Sequence, residues 1–135
     1  MFSAIRASIS GVHAASRSMS ARADNIANIR TTARVDEVSR APAPNDGVFR
    51  PYGVVRITRD SGGVDTVVRP VEPSHRVTRD PGDPKSDVDG LVAAPNVRLE
   101  EELAGIGLDR HQLAANLAVI RTEDEMLGTL FDEEI

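Results

Sequence analysis

Apolar side chains recur at alternating intervals of three and four residues at both ends of this 135-residue chain. Near its start, Phe2, Ile5, Ile9, Val12, Ser16, Met19, Ala23 and Ile26 follow that spacing. Near its end, Leu99, Leu103, Ile106, Arg110, Leu113, Leu117, Ile120, Asp124, Leu127 and Phe131 do the same. Such a stripe is the narrow seam of a coiled coil, not the wide apolar face of an ordinary globular helix. A chain with an adhesive helix at each end and little between them is expected to act as a building block of an assembly.

The first helix is expected over residues 3–29, with Ser3 as N-cap and Phe2 as staple. Ser16 and Ala23 thin its seam, because small side chains allow close approach but bury little area. The second is expected from an N-cap at Asn96 to about Phe131, with Glu100, Glu101 and Glu102 where acid suits the helix dipole. Gly105 and Gly107 cost this helix about 1 kcal/mol each relative to Ala and mark a bend or a close contact.

Between the helices the pattern changes. The run Ala41-Pro42-Ala43-Pro44-Asn45-Asp46-Gly47 reads as a turn. Gly53–Thr58 and Thr66–Arg69 are β-branched runs flanking Asp60-Ser61-Gly62-Gly63, which predicts a β-hairpin. A third strand is expected from either 35–39 or 75–78. Residues 80–96 are rich in Pro, Gly and Asp, which suits a structured loop or extended arm and neither a helix nor a long strand. The expected organisation is therefore an axial helix with an Asn-bearing end (1–34), a small β region (35–79), an arm (80–97) and a second axial helix (98–135). The fold class is mainly α with a small β region, the terminal helices forming a coiled-coil-like pair.

Charge separates the two ends. Residues 1–34 carry five Arg and one Asp, a net +4, whereas residues 98–135 carry three Arg against ten acids, a net −7. Opposite signs favour pairing of the two helices and oppose self-pairing of either. With 3% aromatic residues and no Trp, any core must be built of Val, Ile, Leu and Ala and will be thin, so burial against partners is expected to add to stability.

Several chemistries are set aside. Without cysteine there is no disulfide, thiolate metal site or cysteine nucleophile. Asp83, Asp87, Asp89 and Gly90 resemble part of a calcium loop, but an EF-hand register puts Lys85 at the first ligand position and Asn96 where a bidentate Glu belongs. His13, His75 and His111 lack metal-ligand spacing, and no catalytic triad context or phosphate loop occurs. No cofactor and no enzymatic activity are expected. The basic segment is sparse and lacks stacking aromatics, so nucleic acid is not an expected partner. Neither a cleavable signal nor a membrane-inserted helix is expected.

Two segments carry a family resemblance. Ala23-Asp24-Asn25-Ile26-Ala27-Asn28-Ile29-Arg30-Thr31-Thr32 resembles the Ala-Asn-Asn-(Leu/Ile)-Ala-Asn-x-x-Thr signature of bacterial flagellar rod and hook proteins. The acidic, proline-bounded run Asp80–Pro84, continued by Asp87–Val97, is similar to the arm before the last helix in the proximal-rod branch of that family. Ala115–Thr122 resembles the family's Ala-Asn-x-x-Val-Leu-x-Thr segment. Asp24 and Arg30 stand where the family usually has Asn, and the aromatic expected near Leu113 is absent.

The resemblance implies a structural subunit of the flagellar basal-body rod. Such a subunit leaves the cytoplasm through the flagellar type III export apparatus without signal cleavage, and polymerises with itself and other rod subunits in the periplasm. Its helices line the hollow rod. The expected interface residues are Ile5, Ile9, Val12, Met19, Asn25, Ile26, Asn28 and Thr31, then Pro95 and Asn96 in the arm, then Leu103, Ile106, Leu113, Asn116, Leu117, Ile120 and Leu127. Asn25 and Asn28 have two readings, as caps of the first helix end or as donors to a neighbouring subunit. The rival function is a helical-hairpin adaptor or regulatory module that binds a soluble protein.

Overall fold

The computed structural model describes residues 2–40 and 47–132. The Pro-rich turn expected at 41–46 lies outside the described residues. Long N- and C-terminal helices, α1 (Phe2–Ala27) and α3 (Leu99–Asp132), are packed together. Between them come a short helix α2 (Val35–Arg40) and four strands, β1 (Tyr52–Thr58), β2 (Val64–Pro70), β3 (His75–Arg79) and β4 (Leu91–Pro95). The strands form two two-stranded sheets, β1 with β2 and β3 with β4. The molecule is mainly α, as the spacing of its apolar residues implies.

The chain divides into two compact units, one from residues 1–20, 54–68 and 104–135, the other from 21–53 and 69–103. In the first unit the β1–β2 hairpin turns where expected. Gly62 N–H bonds to Arg59 O, Arg59 N–H to Gly63 O, and both glycines hold a positive φ. Ser10 fixes this turn: its hydroxyl accepts the Val64 N–H at 3.0 Å and donates to Ala7 O at 2.7 Å. A Cβ on Gly63 would lie 2.5 Å from that hydroxyl, so a side chain at this positive-φ position would be strained and would push Ser10 off the turn.

The second unit holds a small core of Ala33, Val38, Val48 and Ala93. β3 and β4 pair antiparallel from His75 opposite Pro95 to Arg79 opposite Leu91. On the other edge of β4, Ala33 and Ala93 exchange two 2.9 Å backbone bonds. With both edges satisfied, Val92, Ala93, Ala94 and Pro95 are all buried. Of the two candidates for a third strand, 75–79 is the strand and 35–40 is helix α2.

Three local expectations change. The arm contains a strand, β4, because β3 supplies its partner; only the stretch from Asp80 to Gly90 is turns. Asn96 does not cap α3, because its side chain donates to Pro73 O at 2.9 Å. The cap position falls to Arg98, whose carbonyl accepts the Glu102 N–H. α1 ends at Ala27, two residues earlier than expected, where Asn28 closes it by donating both its N–H and its amide to Asp24 O.

The seams are the larger correction. On α1 the buried residues are Ser8, Ala15, Ser18 and Asn25, with Gly11 in line, one residue before the expected Ile9, Val12, Ser16, Met19 and Ile26, and Ala14 and Ala21 beside them. One residue is a rotation of about 100°. On α3, Ile106, Leu113, Ile120 and Leu127 keep their expected inward place, half-buried. The alternate column, however, is Glu102, Asp109, Asn116 and Glu123, whereas Leu103 and Leu117 are 55% and 39% exposed. Small residues on α1 let the helix backbones approach closely, and the room left by a missing side chain accepts a short polar one. Gly11 faces Asn116 so tightly that a Cβ there would lie 2.5 Å from the Asn116 Oδ1.

Candidate subunit-interface surface

Two kinds of surface result, one closed by the chain's own hydrogen bonds and one left open. The closed one surrounds the end of α1. Asn25, 2% exposed, donates to Tyr52 O at 2.9 Å and to Glu102 Oε1 at 2.7 Å, and accepts the Tyr52 N–H at 3.2 Å. Arg22 donates to the other Glu102 oxygen at 2.9 Å. Asp24 accepts the Tyr52 hydroxyl at 2.6 Å. That bond, desolvation and the Asp24 charge together push the Tyr52 phenol above its ordinary value of 10.0.

The two signature asparagines thus have different jobs. Asn28 caps the helix end, as one of its two readings has it. Asn25 instead joins α1 to the start of β1 and to Glu102 of α3, all within one unit. Sequence reasoning missed Arg22, Tyr52 and Glu102. The only signal was an Asn in a helix, a residue that gains little there without a partner.

Thr31 is half-buried beside Asn28, and Thr32 donates to Asp83 Oδ2 at 2.6 Å. Asp83 also accepts the Lys85 N–H, and these bonds hold its carboxyl below the ordinary carboxylate range, the Thr32 hydroxyl contributing most. Asp87 accepts the N–H groups of Asp89 and Leu91. The acids that resemble a calcium loop therefore shape turns, and among the described residues no three His, Asp or Glu side chains are grouped as a metal ion requires. A recess of about 520 Å³ opens beside Arg30, Thr32, Arg76 and Asp83, next to the arm. Pro95 is buried and Asn96 half-buried.

In the first unit, Asp109 is buried and takes a 2.5 Å bond from Arg56 of β1. The open surface lies on the helices. At 100° per residue, Leu99, Leu103 and Leu117 of α3 fall within about 40° of one another. Leu108, Val119, Met126 and Leu130 fall within a second such sector, roughly opposite. All seven are exposed, from 39% for Leu117 to 66% for Leu108. α3 thus carries an apolar strip on each edge of its buried seam. On α1, Ile9 is 43% exposed, and Ile5, Val12, Met19 and Ile26 are half-buried. Of the expected interface residues, Ile9, Leu103 and Leu117 are the most open, and Asn25 and Pro95 are closed off.

No described helix is long and apolar enough to cross a membrane. No protein-family model matches the chain, and a search of curated proteins finds no match, so the family resemblance rests on residues 23–32, 80–97 and 115–122 themselves.

Proposed function

We propose that the protein is a structural subunit of the bacterial flagellar basal-body rod, of proximal-rod type, and that it acts by polymerisation, not catalysis. The observation that carries this reading is the pair of exposed apolar strips on α3. A helix already packed along one face gains nothing from two more apolar faces unless neighbours cover them. An axial subunit whose terminal helices are surrounded by other subunits meets that condition. The signature at 23–32, the arm at 80–97 and the opposite charges of the two helices agree with it. Under this reading the partners are further copies, other rod subunits and, before assembly, the flagellar export apparatus; no cofactor takes part.

The test is made in the source bacterium. Deleting the gene should abolish swimming, and the tagged protein should copurify with detergent-extracted hook–basal bodies. Normal swimming of the deletion strain, together with absence of the protein from those basal bodies, would overturn the reading.

A second reading, a helical-hairpin adaptor for one soluble protein, is favoured by one observation. α1 and α3 are regular over 26 and 34 residues in a single chain, as a preformed docking hairpin would be. An adaptor would give a saturable one-to-one complex, whereas a rod subunit would give an extended assembly.

A further inference from the structure

The sheet of the second unit is open along one side. β4 has a partner at each edge, β3 on one and Ala33 on the other, whereas no other described strand pairs with β3. The Asn96 N–H bonds to Ser74 O and the Asp80 N–H to Gly90 O, both in the register of the ladder. Hydrogen-bonded pairs alternate along an antiparallel ladder. Arg76 and Thr78 therefore turn their N–H and C=O groups to β4, and His75, Val77 and Arg79 turn theirs outward. Val77 is 53% exposed, and Arg76 and Arg79 are exposed with it.

The recess of about 520 Å³ lies beside this edge, on the face of the sheet that carries Arg76 and Thr78. Ile29, Val92 and Ala94 line it, and Arg30 stands with them. Neither the Arg30 nor the Arg76 guanidinium has an ion pair or hydrogen bond among the described residues. Of the two acids at the recess, Asp80 and Asp83, the second is held by Thr32 and the Lys85 N–H. Residues 73–79 themselves carry two Arg, one His and no acid.

We infer that an extended acidic segment of a partner protein adds to β3 as an antiparallel edge strand. Its backbone takes up the outward N–H and C=O groups of His75, Val77 and Arg79, as peptides do when they extend a sheet. A carboxylate opposite Arg76 falls on the recess side, where Arg76 and Arg30 lack partners. An apolar side chain opposite Val77 covers that residue on the other face. A second copy does not fit this edge in the same way. β3 paired with itself about Val77 sets His75 opposite Arg79 and brings no carboxylate to Arg76. Charged residues on an edge strand guard a sheet against association, and a guard of one sign bars a like strand and admits one of opposite sign. The inference does not depend on the flagellar reading, which a basal-body preparation tests separately.

The probe is a fluorescent, end-blocked peptide of alternating Val and Glu, titrated into the full-length protein and followed by anisotropy. It should bind saturably, one to one, and slow hydrogen exchange at the Val77 amide. Arg76→Glu sets like charges together and should weaken binding at least tenfold. Val77→Pro removes an outward N–H, leaves the bonds to β4 in place, and should weaken binding as much. Circular dichroism should show both variants folded. The peptide itself gives a test that needs no variant. Methylating its Val nitrogens, which face β3 when Glu stands opposite Arg76, should abolish binding, and methylating its Glu nitrogens, which face away, should leave it nearly unchanged. No binding at millimolar protein would overturn the inference. So would equal effects of the two methylation patterns, or a Val-Lys peptide that binds as tightly.

Discussion

The side-chain amide of Asn116 on α3 occupies the space over Gly11 on α1 where a Cβ would stand, with its Oδ1, Nδ2 and Cγ all within 2.7 Å of that point. Asn116 also donates to Gln112 O at 2.8 Å, which holds the amide against its own helix. The contact is what a heptad of small residues on α1 makes possible, and it sets which faces of the two helices meet.

Gly11→Ala should therefore destabilise the protein despite its better helix propensity. Overpacking costs about 1–3 kcal/mol, against a propensity gain of about 1 kcal/mol. Adding Asn116→Ala removes the clash and keeps the gain. The double variant should be more stable than Gly11→Ala alone, with a coupling of about 0.5–3 kcal/mol by urea denaturation. Additive effects would show that the amide swings aside freely.

Tyr52 is the only tyrosine and there is no tryptophan, so its ionisation can be followed by ultraviolet absorbance without interference. Its midpoint should lie above 10.0, because ionisation breaks the bond to Asp24 and sets two negative charges together. Asp24→Ala should bring it back towards that value. Since the folded-state value is the raised one, the stability this bond contributes is fully present below pH 10 and is lost as the pH rises through the folded-state midpoint.

Asn25→Ala should cost about 1–3 kcal/mol, because it leaves the partly buried Tyr52 N–H and carbonyl without the Asn25 amide. Asn28→Ala, which removes an exposed bond at a helix end, should cost about 1 kcal/mol or less. Equal losses in thermal denaturation would contradict the division of labour between the two asparagines.

Asp109 is 3% exposed and bonded to Arg56. Arg56→Met keeps the stem packing but removes the charge from beside a buried carboxylate. A loss of about 3 kcal/mol is expected, as for other buried pairs broken on one side. The comparison with the wild type is made by urea denaturation at pH 7, and an unchanged midpoint would contradict it.

Leu117→Asp separates assembly from folding. Leu117 is 39% exposed, so the monomer should change by no more than about 0.5 kcal/mol. Any higher-order association that uses this strip should be lost. Unfolding of the monomer, seen by circular dichroism, would show that the strip is internal after all.

The sequence by itself determined what local physics controls. Two long amphipathic helices, a hairpin at Asp60–Gly63, the acidic first turn of α3 and the thin Val/Ala core all follow from residue spacing and turn chemistry. Tertiary structure decided which face of each helix meets the other. Apolar periodicity pointed to Ile9, Met19, Leu103 and Leu117, yet Ser8, Ala15, Ser18 and Asp109 are the buried residues and Gly11 meets Asn116. A stripe of small residues is almost silent in a hydrophobicity pattern, and its value appears only when a second backbone comes close. Likewise β4 exists because β3 and Ala33 satisfy its two edges, partners that lie 12 or more residues away in sequence. Asn25 tells the same story: its identity was legible in the signature, but its partners, Tyr52 and Glu102, come from segments 27 and 77 residues away that only the fold brings together.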